Sequence, residues 1–152
     1  MGTGHYLQQT VIDDVPFNTM LNIQIGDFDA ESVTLYLPQQ QMINNETGRP
    51  HPSAQYAVAE AASMALLERC FADMLNSGFS PHAVEATIQY RKEAVGDLQA
   101  IASMTTEEQK FIRASLQTRK RANFAVEVQI VDKNGSITST MQVKWMVLPD
   151  GV

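Results

Sequence analysis

The feature that most constrains this sequence is a helix of about 24 residues, predicted from Ser53 to a stop at Gly78 and roughly 36 Å long. His51-Pro52 forms its entry, because proline at a first helical turn fixes the backbone and gives up an N–H that has no partner there anyway. The helix is alanine-rich and apolar nearly all round, so it has to be enclosed. Alanines let a sheet approach closely, and a curved sheet can wrap a helix of this length.

The rest of the chain supplies that sheet. Ile23 and Ile25 alternate with polar residues, as do Val33, Leu35 and Leu37, with GDFDAES connecting the two runs. After the long helix, Val84, Ala86, Ile88 and Tyr90 form one strand and Leu98, Ala100, Ala102 and Met104 another, joined by a turn around Val95-Gly96-Asp97. Phe124, Val126, Val128 and Ile130 then lead through DKNG, an Asn-Gly turn, into a long final strand carrying Ile137, Met141, Val143, Trp145 and Val147. Two shorter helices are expected. One lies in DDVPFNTML, capped by Asp13 or Asp14 with Pro16 in its first turn. The other starts at the capping box Thr105 to Glu108, runs to about Lys120, and turns Phe111, Ile112, Ser115 and Leu116 inward. The loop Gln39 to Pro52 holds Gly48, Pro50 and Pro52 and cannot be regular structure. The expectation is an α+β fold: one domain over 1–152, with about six antiparallel strands around one long helix.

Glu60 is the residue this arrangement does not explain. Side chains within reach of it on the helix are Tyr56, Ala57, Ser63 and Met64, and none is a cation. An ionised carboxylate without a partner is costly to bury, which makes Glu60 a functional candidate. The competing readings are a solvent-facing glutamate and one paired with a distant arginine.

Composition excludes several classes. A net charge of -6 argues against binding nucleic acid through overall charge, which relies on Lys and Arg. The single cysteine, Cys70, rules out an internal disulfide and fits a reducing compartment; its apolar neighbours point to an inert buried thiol. His5, His51 and His82 are not at metal-ligand spacing and there is no CxxC, so no metal is expected. The N-terminus lacks a signal peptide's basic start and apolar run, and Tyr6 breaks the myristoylation pattern. No segment approaches a membrane span. The expectation is a soluble cytoplasmic protein, for which the glycosylation pattern at Asn45-Glu46-Thr47 carries no weight.

The stretch NETGRPHPSAQYAVAE resembles the signature of hotdog-fold acyl-CoA thioesterases of the phenylacetate-pathway type. In that signature an Asn is followed three residues later by Gly, three beyond that by His, then by small residues opening the central helix, with an acidic residue nine after the His. Asn45, Gly48, His51 and Glu60 match. The likeness extends over nearly the whole chain, including YRKEAVGD and the last two strands, and the helix inserted before those strands is similar to that of an uncharacterised thioesterase-like branch. The resemblance implies a hotdog fold and hydrolysis of an acyl-CoA or acyl-carrier thioester. Glu60 would be the nucleophile or general base, Asn45 would orient water or the thioester carbonyl, Gly48 would line the substrate site, and His51 would hold the loop either structurally or chemically. It implies no cofactor, coenzyme A being part of the substrate.

Helix geometry adds a condition. Glu60 lies seven residues past Ser53, roughly 10 Å along the axis, so one thioester cannot touch both the helix start and the carboxylate of one chain. The two groups would have to come from different subunits, which implies a two-fold homodimer, in keeping with the family, with a dimer of dimers as the alternative assembly. One departure stands out. Where the family usually has a glycine after the His, with its N–H aimed at the thioester oxygen, this chain has Pro52. Either Ser53 or Ala54 supplies the donor or the site is weakened, and losing one such donor costs about 2.7 to 4 kcal/mol of transition-state stabilisation.

Arg91 and Lys92, at a strand end, and Arg119, Lys120 and Arg121, after the second helix, are candidates for the phosphates of coenzyme A, although cations at a helix C-terminus also serve its dipole. The alternative function is a hotdog protein that binds acyl-CoA or a fatty acid without chemistry. A dehydratase would need an Asp/His motif that is not found, and a DNA-binding regulator would need a helix-turn-helix for which there is no spare length.

Overall fold

A computed structural model describes residues 2–152. The central helix α3 spans Pro52–Leu75, its 24 residues matching the expected length. Strands β1 (Gln24–Phe28), β2 (Ser32–Leu37), β3 (Phe79–Tyr90), β4 (Leu98–Ser103), β5 (Ala122–Val131) and β6 (Ile137–Pro149) form one antiparallel six-stranded sheet. Its order is β1-β2-β4-β5-β6-β3, so β1 and β3 are the edges.

Cross-strand register explains why the sheet closes on the helix. Leu35 lies opposite Ala100 and Ala100 opposite Ile130, while Val128 lies opposite Met141. Residues in such a row share a face, and all of these are buried. Ala100 and Ala102 on β4, a strand that packs on α3, are buried in one core with Ala59, Ala61, Ala62 and Ala65 of the helix, and such small side chains let the two backbones approach closely. At Phe71 the helix departs from helical geometry (φ -129°, ψ 22°), and the ring turns into the core with its centroid 6.2 Å from that of Phe124.

Several details differ from the sequence-based expectation. Helical turns outside that expectation precede the first expected helix: α1 (Thr3–Leu7) continues as π-helical turns over Gln8–Asp13 and buries Leu7, Val11 and Ile12. Helix α2 (Pro16–Met20) does begin at Pro16, but Val15 occupies the cap position, and Asp13 and Asp14 instead accept bonds from Gln8 and Gln9. In α4 (Thr106–Arg119) the Thr105 hydroxyl accepts from the Glu108 N–H as expected, and Ile112 and Leu116 face inward. Phe111 is 78% exposed, because α4 rests one narrow face on β5 and the end of α3 rather than a wide stripe. Strand β3 starts five residues early, at Phe79, and a bulge between Ala83 and Glu85 turns Val84 outward. A register shift at Ile130/Val131 leaves Ile137 exposed too, and puts Thr138 and Ser139 inside. Among the described residues no helix is long and apolar enough to cross a membrane.

Candidate active site at the start of the central helix

The loop before α3 is held by its own amides. Asn44 bridges to Pro50, the Asn45 N–H donates to the Arg49 carbonyl (2.7 Å), and the His51 N–H donates to the Ile43 carbonyl (2.7 Å). Gly48 sits at φ +76°, a left-handed conformation that glycine adopts without strain. The Asn45 side-chain oxygen accepts from the Thr47 N–H (3.0 Å), the Thr47 hydroxyl (2.7 Å) and the Arg49 N–H (3.2 Å). Backbone N–H groups can only donate, so the atom they meet is Oδ1 and the Asn45 NH2 group points away from the turn.

His51 caps the helix. Its Nδ1 accepts from the Ser53 N–H at 2.9 Å and its carbonyl accepts from the Ala54 N–H at 2.8 Å. These contacts bear directly on the oxyanion donors expected at the helix start. Pro52 has no N–H, and those of Ser53 and Ala54 already have partners.

A cavity of about 270 Å³ opens beside this turn, lined by Asn45, Arg49, Gln55, Tyr90, Arg91 and Lys92 among others. Gln55, only 3% exposed, was not singled out from the sequence. The available signal was its position: it is the one polar residue on the helix side that otherwise carries Ala59, Ala62 and Leu66, all buried. Its Oε1 accepts from the hydroxyls of Thr138 (2.8 Å) and Ser139 (2.7 Å) on β6.

Glu60 is half-buried on another face of α3. Five residues beyond Gln55 place it about 7.5 Å further along the axis and roughly 140° around it. Among the described residues its carboxylate has neither a hydrogen-bond donor nor a cation within ion-pair distance, and burial pushes its pKa up from the ordinary value. It lies on a strip with Tyr56 and Met64 that the sheet leaves partly uncovered. The adjoining edge strand β3 is equally incomplete. Ala86 and Ile88 are half-buried and Tyr90 is 49% exposed, although their register partners Val143, Met141 and Ser139 on β6 are all buried. Burial raises the Tyr90 phenol pKa, with a smaller push from Tyr56.

The basic clusters separate. Arg91 and Lys92 line the cavity rim; the Arg91 guanidinium bonds to Gln89 and Thr140, and the Lys92 ammonium to Ser136. Arg119, Lys120 and Arg121 lie at the other end of the sheet, where Ala122 pairs with Val147 while Tyr90 pairs with Ser139. Eight residues along β6 correspond to roughly 26 Å, so the structure does not bring this cluster to the cavity. Lys120 takes the left-handed position ending α4 (φ 61°), with its ammonium on the Gln117 carbonyl, which accounts for it as a helix terminus. Among the described residues no three His, Cys, Asp or Glu side chains are placed to hold a metal ion.

A curved antiparallel six-stranded sheet around one long helix defines a hotdog fold. The chain belongs to the family DUF4442, a domain of unknown function, which it matches over residues 4–147. Its fold is that of a Pseudomonas aeruginosa protein of unknown function described as a probable thioesterase (20% identity, 97% of this chain and 93% of that one, TM-score 0.82). A candidate thioesterase from Shewanella oneidensis is similar (15% identity, 97% and 98%, TM-score 0.82). So is a glutamine-to-alanine variant of a Staphylococcus aureus thioesterase (15% identity, 89% and 100%, TM-score 0.69). No curated protein matches the sequence.

Proposed function

We propose that this protein hydrolyses acyl-CoA or a related acyl thioester, as a two-fold dimer in which Glu60 of one subunit works against the helix start of the other. The observation that carries the reading is the half-buried Glu60 carboxylate without a partner, a group placed at a cost that folding does not require. Asn45 supports it, since its oxygen is occupied by the loop and its NH2 is left to donate to a carbonyl or a water. The spacing lends further support: the S. aureus thioesterase was made with alanine replacing a glutamine and, separately, a glutamate fifteen residues later, the separation of Asn45 and Glu60.

As general base, Glu60 takes a proton from water while the oxygen adds to the thioester carbon. Collapse of the tetrahedral intermediate breaks the C–S bond, and the thiolate leaves with the proton returned from Glu60. As nucleophile, Glu60 forms a mixed anhydride, releases the thiol, and is freed by water. Label in the Glu60 carboxyl group after a single turnover in heavy-oxygen water identifies the nucleophile route with water attacking the Glu60 carbonyl, since general-base catalysis puts the label only in the released acid. The free edge supports the dimer: antiparallel pairing of β3 with its copy would satisfy the backbone groups of alternate residues that face away from β6 along its twelve residues, and would cover the Tyr56–Glu60–Met64 strip. Arg49, Arg91 and Lys92 at the rim suit the phosphates of coenzyme A.

Thiol release from short, long and aromatic acyl-CoA esters, compared between the protein and Glu60→Gln, tests the proposal. Turnover in the protein that falls at least a hundredfold in the variant supports it; equal turnover refutes it. A second reading, ligand binding without chemistry, is favoured by the occupied N–H groups of Ser53 and Ala54. Tight binding of acyl-CoA with no thiol released would select it.

A further inference from the structure

We infer that Gln55 is a carbonyl-binding residue of this site, its side-chain N–H donating to the thioester oxygen in place of the backbone N–H that Pro52 lacks. The inference rests on the thioester reading above for the identity of the ligand, and on independent geometry for the donor.

Gln55 lies one helical turn beyond Pro52, on the same side of α3, and both residues line the cavity. It is 3% exposed, and a buried primary amide requires partners for both its ends. The oxygen has two, the Thr138 and Ser139 hydroxyls at 2.8 and 2.7 Å. Among the described residues its nitrogen has none, yet it is not sealed off as are the buried, partnerless atoms Asn44 Oδ1, Arg69 Nε and Trp145 Nε1. It therefore turns to the cavity, where a ligand can meet it.

The anchoring makes this donor a good one. Two hydroxyl donors on Oε1 polarise the amide and fix its plane, so no reorganisation is needed when a carbonyl arrives. A charged donor would favour a carboxylate or phosphate. Here the cations stand at the rim, and Arg49 is already paired with Glu93 at 3.1 Å, while the buried Gln55 and the half-buried Asn45 offer neutral amides suited to a neutral carbonyl. The register shift between β5 and β6 turns both Thr138 and Ser139 inward, so the bulge has a use here beyond strand geometry.

The test uses acyl-CoA ketone analogues, with a methylene replacing the thioester sulfur and carbon-13 at the carbonyl, carrying hexanoyl, palmitoyl and phenylacetyl groups. Binding is followed by calorimetry and the carbonyl stretch by infrared difference spectroscopy, in the full-length protein, Gln55→Met and Gln55→Glu. The expected result is a lowered carbonyl frequency in the protein that moves back toward its aprotic-solvent position in both variants. In thiol-release assays kcat falls by about 10²–10³ with KM little changed. A band that stays put in Gln55→Met overturns the inference, and so does one that is not lowered in the unaltered protein, an outcome that needs no folded variant. If the band behaves as expected but no ester is hydrolysed, the hydrolytic reading falls and Gln55 stands as a carbonyl binder. Failure of all three analogues to bind overturns both.

Discussion

Arg113 joins the inserted helix α4 to the end of the central helix, and replacing it with methionine tests whether that junction holds the fold. Its guanidinium donates to the Asp73 carboxylate at 2.7 Å and to the Cys70 carbonyl at 2.8 Å, and its Cζ stands 5.6 Å from the centre of the Phe71 ring. The contacts converge where α3 loses helical geometry at Phe71. A charged hydrogen bond to a part-buried carbonyl contributes about 1.5–3 kcal/mol, the cation over the ring about 0.5–1, and the exposed ion pair at most about 1. Methionine keeps most of the apolar stem, and the contacts are not additive, so the expected loss is about 2–4 kcal/mol by denaturant titration. At roughly 2–4 °C per kcal/mol for a chain of this size, Tm falls by about 5–15 °C. The loss depends on pH in a fixed direction. The Arg113 hydrogen bond holds the Asp73 pKa below its ordinary 3.8, so the pair's contribution is present above that value and disappears as pH falls through the lowered one. Protein and variant should therefore converge in part below about pH 4. A loss under about 0.5 kcal/mol at neutral pH would show that α4 rides on the hotdog core without securing it.

Other expectations follow from the same geometry. Because burial raises the Glu60 pKa, the native state binds that proton more tightly than the unfolded chain. Stability is then lost as pH rises from the ordinary value of 4.5 through the raised one, and Glu60→Gln should be the more stable protein at pH 8 but not at pH 4; a destabilised variant at pH 8 would mean the carboxylate has a partner in solution. Ile88→Arg puts a charge on the uncovered inner face of β3 and should convert a dimer into monomers by analytical ultracentrifugation, with loss of any thiol release; an unchanged sedimentation coefficient refutes pairing through that edge. Burial pushes the Cys70 thiol up to about 11, against the pull of Arg69 and Arg113. Its alkylation by iodoacetamide at pH 8 should be on the order of 10²-fold slower than that of a free cysteine, and a rate matching the free thiol would refute that value.

The sheet was legible because its inner positions follow a period of two wherever a face is fully enclosed, as in Leu98, Ala100 and Ala102, or Val126, Val128 and Ile130. Legibility failed where register shifts. Val84 and Ile137 are apolar and in apparent phase, yet bulges turn both outward, and nothing in the side chains marks a bulge. The N-terminal helical turns escaped notice because only Leu7, Val11 and Ile12 are buried, too few for a clear helical period. At the site, Glu60 stood out because a carboxylate is anomalous on an alanine helix. Gln55 did not, since a neutral amide carries no charge to explain and its partners, Thr138 and Ser139, are 83 and 84 residues away in sequence.

Pro52 looked from sequence like damage to an oxyanion site, and the structure changes what that substitution means. A glycine at the first helical position would leave an N–H facing the cavity; proline removes it and leaves a pre-set backbone that favours the helix start. His51 then holds the next two N–H groups, one with its ring nitrogen and one with its carbonyl. A helix start saturated in this way cannot also polarise a carbonyl through those groups. The neutral amide donors at the cavity have their oxygens anchored, Asn45 by backbone N–H groups and Gln55 by two hydroxyls. Side-chain donors depend on what anchors them. If Gln55 binds the ester as proposed, Thr138 and Ser139, one hydrogen bond behind the amide, are as necessary to carbonyl binding as the amide itself, and the reactivity of the site is tied to the β5–β6 bulge that turns both of them inward.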